Sequence, residues 1–100
     1  MSEWLTYGLQ VEIIVVGMFV YGLAMFLKAF QNISEQFKTA IALIILSLIM
    51  EIVQGVMVMI LLLNKINYDN YLWLVSPFIG MVGAYFLIAG SRKFLSEIEK

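Results

Sequence analysis

Glu51 stands at the centre of the most apolar stretch of the chain, "LIILSLIMEIVQGVMVMILLL" over residues 43–63, with Ser47 one helical turn before it and Gln54 three residues after. A carboxyl, an amide and a hydroxyl at this spacing share one side of a helix, within an arc of about 100° that also takes in Gly55. Two chemistries are open to such a set in hydrocarbon. The carboxyl can hold helices together by hydrogen bonds, or it can exchange a proton or a cation, as intramembrane acids do. An ionised carboxylate at that depth costs several kcal/mol, so the group either carries a proton or faces protein or water. Its depth matches Tyr21 and Gly83, and no Lys or Arg lies at the same level. Tyr21 is therefore the expected partner. Without a second acid or a cation at that depth, hydrogen-bonded glue is favoured over conduction.

Gln10, Gly17, Tyr21, Ala24 and Lys28 form a second small and polar arc, which is expected to lie against the Glu51 arc. Glu12 falls on the opposite side, among Val16, Phe19 and Leu23, with a choice between snorkelling to the interface and meeting another protein surface. In the last apolar block Ser76, Gly80 and Ala84 recur every four residues, with Gly83 and Gly90 beside them. Small residues at this spacing let two helix backbones approach closely, so this face is expected to be a helix contact. Pro77 removes one N–H and should bend its helix, freeing a carbonyl near Trp73. Met50, Met57 and Met59 do not share one narrow face, which makes them flexible filler rather than a thioether metal site.

The chain holds no His and no Cys, which excludes disulfides, zinc or haem ligation by those residues, and thiol catalysis. A net charge of −1 leaves no basic field for nucleic acid. No nucleophile–base pair, metal cluster or phosphate-binding glycine loop is present, so neither an enzyme nor a cofactor is expected.

These side chains must be positioned by the apolar segments themselves. Hydrophobic residues make up 63% of the 100 residues and charged residues 13%, far from soluble averages. They fall into blocks at 9–30, 39–63 and 71–90, each long enough to cross a hydrocarbon core of about 30 Å. The expected fold is all-α: one integral membrane domain over 1–100, a bundle of three transmembrane helices at about 5–31, 38–64 and 70–96 joined by short loops. The first segment lacks a basic start and an A-x-A site, so it is expected to remain in the protein. Of the 6 cations, Lys28, Lys38, Arg92, Lys93 and Lys100 share one side and only Lys65 lies on the other, which predicts N-out and C-in. Trp4, Tyr7, Tyr68, Tyr71 and Trp73 are expected at the outer interface. That topology puts the Asn32-Ile33-Ser34 sequon in the cytoplasm, where it is not used.

The functional expectation is a small structural or accessory multi-pass protein of the cell membrane. It would sit in the bilayer as a subunit of a larger membrane complex or as a homo-oligomer, packed through small and polar helix faces. Two alternatives are a proton- or ion-conducting oligomer using Glu51, and a membrane sensory module acting through a helix over 91–100.

Overall fold

A computed structural model describes residues 2–67 and 69–99, with side chains described from Thr6 onward. The side chain of Trp4, and Tyr68 and Lys100 altogether, lie outside the described residues, so their expected interfacial and topological roles go without structural comment. The described chain is three α-helices: α1 (Ser2–Asn32), α2 (Glu35–Leu63) and α3 (Leu72–Glu99). All three are long and apolar enough to cross a membrane.

The boundaries follow from local chemistry. Ser34, at φ −69° and ψ 154°, is extended and breaks the helical run between α1 and α2. The Asn32 side-chain amide turns back to donate to the Lys28 carbonyl at 3.1 Å, satisfying one of the free acceptors at the end of α1. Glu35 in the first turn of α2 complements the positive end of the helix dipole and pairs with Lys38 at 3.3 Å. With so short a connection, α1 and α2 must run antiparallel.

The other end of α2 closes in a Schellman motif. Lys65 adopts a left-handed conformation at φ 53°. Its N–H donates to Leu62 O at 3.1 Å, and the N–H of Ile66 donates to Leu61 O at 3.0 Å. The chain then returns through an Asx turn, where Asn70 Oδ1 accepts from the Leu72 N–H at 3.0 Å and opens α3. Trp73 Nε1 donates to Ile66 O at 3.0 Å, clamping the loop onto the start of α3. Pro77 lies within α3.

α2 is the centre of the molecule. The buried apolar residues Ala40, Ile41, Ile45 and Leu61 all belong to it. Both α1 and α3 pack on α2, and among the described residues they do not pack on each other. The result is an elongated, open layer measuring 53 × 23 × 15 Å. At the end where α1 joins α2, the gap between α1 and α3 is a groove of about 450 Å³, floored by Ile41 and Ile44 and walled by Phe26, Ser91, Phe94 and Leu95.

α1 meets α2 through a bulky stripe. Leu9, Glu12, Val15, Val16, Phe19, Leu23, Phe26 and Phe30 are half-buried, and they recur at the three- and four-residue spacing of one helix face. The expected pairing of the Gly17/Tyr21 arc with α2 is therefore corrected: that arc points the other way. Gly17 and Tyr21 are exposed, and space around Gly17 is open to 4 Å. The reason is volume. An apolar stripe of branched and aromatic side chains fills the gap to α2 and gains more dispersion contact than a small and polar arc would.

Candidate functional site

The polar groups of the helix interiors lie where a neighbouring helix offers a glycine. A Cβ built on Gly83 of α3 would stand 2.7 Å from Glu51 Oε1, 3.2 Å from Met50 Cβ and 3.3 Å from Ser47 O. A Cβ on Gly80 would stand 2.6 Å from Gln54 Oε1. Glu51 and Gln54 thus occupy the volume that the missing side chains of Gly83 and Gly80 leave, and their polar ends rest on the backbone of α3.

Gly55 plays the same part for α1. A Cβ there would collide with Val16 Cγ2 and would stand 3.5 Å from Glu12 Oε2. Glu12 is therefore directed at α2. Its carboxyl reaches the level of Gly55, one turn of α2 from Glu51 and about 6 Å along the axis. On this stretch of α2 Ser47, Glu51 and Gln54 face α3, while Gly55 receives Glu12 from α1. Neither Glu12 nor Glu51 forms an ion pair or a hydrogen bond among the described residues.

Each residue singled out from the sequence has a definite place. Ser47 is 3% and Ser76 2% exposed, both within the helix layer. Glu51 and Gln54 are half-buried, and Gly80 and Gly83 lie against them. Ala84 is exposed at the edge of the α3 contact. Tyr21, 69% exposed, stands on the far side of α1 and is not brought to Glu51. Tyr85, 68% exposed, stands near the middle of α3 and points away from α2 in the same manner.

Two placements follow from the packing. Glu12 faces inward, which the uninterrupted bulky stripe of α1 would have signalled. Gly90, beside the small-residue face, lies against the backbone of α2: a Cβ there would stand 2.9 Å from Ala40 O, 2.9 Å from Ile44 Cγ1 and 3.1 Å from Leu43 Cβ. No group of three or more His, Cys, Asp or Glu among the described residues could hold a metal ion. Compared with known protein families, with curated proteins and with solved structures, the chain gives no match.

Proposed function

We propose that this chain is a small multi-pass membrane subunit whose task is assembly, with copies of itself or within a larger membrane complex, oriented N-out and C-in. The observation that carries the reading is Tyr21. It stands within the apolar part of α1, it is 69% exposed, and among the described residues its side of the helix faces away from α2. A hydroxyl without a partner in hydrocarbon costs a few kcal/mol, so the position calls for a partner from another chain. Gly17, one turn away and open to 4 Å, leaves room for a second helix to come close. Tyr85 repeats the arrangement on α3.

The test is the mass of the assembly extracted in mild detergent. Gly17→Leu meets no obstacle within the chain, so the fold should survive while the assembly dissociates. An unchanged mass in both Gly17→Leu and Tyr21→Phe would refute this face as the contact. Orientation rests on the cation distribution and is tested by single-cysteine labelling at Ser2 and Lys100 in a chain with no Cys of its own. Labelling of position 100 from outside intact cells would reverse it.

A second reading has its own observation. Glu12 and Glu51, without ion-pair or hydrogen-bond partners among the described residues, lie against Gly55 and Gly83 on the α1 and α3 sides of α2, and intramembrane acids of this kind serve proton or cation transfer. Under this reading Glu51→Gln keeps the assembly but abolishes proton or cation flux in liposomes, because an amide does not exchange a proton. Equal flux in the two proteins would exclude it.

A further inference from the structure

Near the end of the molecule that carries the α2–α3 loop, α1 and α2 flank an open groove of about 400 Å³ lined by Tyr7, Gly8, Val11, Glu12, Val58 and Leu62. We infer that this groove binds a free amphiphilic ammonium ion: a quaternary or primary ammonium with an apolar tail. The reading goes beyond assembly, which uses the opposite side of α1.

Three observations define the ligand. The first is charge. Glu12 is the one ionisable carboxyl of the lining, it is half-buried, and it has neither an ion pair nor a hydrogen bond among the described residues. A cationic ligand would supply the missing partner, and charge-assisted contacts of this kind are among the stronger ones. The second is the Tyr7 phenol, an aromatic ring on the same wall; ammonium groups are attracted to ring faces, most strongly when desolvated. The third is the rest of the lining. Gly8, Val11, Val58 and Leu62 offer apolar surface and no hydrogen-bonding side chain, which suits a hydrocarbon tail and rejects a hydrated metal ion. The volume lies in the range of small-molecule sites. A Cβ on Gly8 would stand in ordinary contact, 3.7 Å from Leu62 Cδ1, so a longer side chain there extends into the groove.

The experiment uses the full chain in dodecyl maltoside, a detergent without an ammonium group, and measures saturable binding of dodecyltrimethylammonium by equilibrium dialysis. Uncharged dodecanol serves as the control. Wild type should bind the ammonium saturably, and Glu12→Gln should weaken binding by at least about tenfold while leaving dodecanol uptake unchanged. Glu12→Asp should retain saturable binding, because the charge remains. Gly8→Leu, which fills the groove and leaves the carboxyl itself in place, should also abolish it. Should Glu12→Gln fail to fold, Gly8→Leu and Tyr7→Ala decide: unchanged affinity in both removes the groove as the site. Unchanged affinity in folded Glu12→Gln overturns the inference outright. Full displacement by an equimolar amount of phosphatidylcholine overturns the assignment to a free amphiphile in favour of a lipid headgroup. Loss of the assembly in Gly17→Leu with ammonium binding intact would show that the two proposals stand separately.

Discussion

Gly90→Ala should destabilise the protein although alanine is the better helix former. In an exposed helix interior the exchange gains about 1 kcal/mol. At Gly90 the new methyl would sit 2.9 Å from a backbone carbonyl oxygen, Ala40 O, with Ile44 Cγ1 at 2.9 Å and Leu43 Cβ at 3.1 Å. None of these is the free end of a flexible side chain, so α2 and α3 must separate by a few tenths of an ångström along the contact. Overpacking of this kind costs about 1–3 kcal/mol. Subtracting the propensity gain leaves a net loss of up to about 2 kcal/mol.

Gly22→Ala supplies the reference, because nothing lies within 4 Å of a Cβ at that position. It should stabilise by up to about 1 kcal/mol. The difference between the two variants cancels the propensity contribution and isolates the packing cost, about 1–3 kcal/mol. Reversible unfolding in mixed micelles, followed by far-ultraviolet circular dichroism, measures both. If Gly90→Ala and Gly22→Ala shift the midpoint equally and in the same direction, α3 does not approach α2 this closely and the argument fails.

Lys65→Gly should stabilise by about 0.5–1 kcal/mol, because the left-handed φ of 53° strains any side chain with a Cβ, whereas Lys65→Val should destabilise; the same unfolding assay reads both. Ser76→Leu should cost about 1–3 kcal/mol because Ser76 is buried, while Ala84→Leu, on the same four-residue stripe but exposed, should stay within about 0.5 kcal/mol of wild type. Equal effects at the two positions would mean that α3 is rotated from the position described. Trp73→Phe should loosen the loop between α2 and α3 by removing the 3.0 Å bond to Ile66 O, at a cost of about 1 kcal/mol, and hydrogen exchange at residues 64–72 should rise accordingly.

The three long apolar helices are legible in the residues alone, because length and hydropathy are properties of contiguous residues that no partner alters. So are the residues that share an arc, since helical periodicity is a local rule: Gly17 with Tyr21, Glu12 with Val16 and Phe19, Ser47 with Glu51 and Gln54. Which arc meets which neighbour was left to tertiary structure. On α1 the Gly17/Tyr21 arc was the one expected at the α2 contact, but periodicity is indifferent to a half-turn rotation about the helix axis. The choice was made by volume: Gly55 of α2 admits Val16 and Glu12, and the bulky stripe fills the remaining gap. That rotation sends Tyr21 outward and brings Glu12 against Gly55. On α3 the four-residue spacing of Ser76, Gly80 and Ala84 marked a contact face but not its centre. The centre depends on which side chains of α2 reach across, and Glu51, Gln54 and the Ala40 carbonyl fix it at Gly83, Gly80 and Gly90. A glycine reveals its purpose only when the atom that occupies its missing side chain's space is known, and that atom belongs to another helix, dozens of residues away.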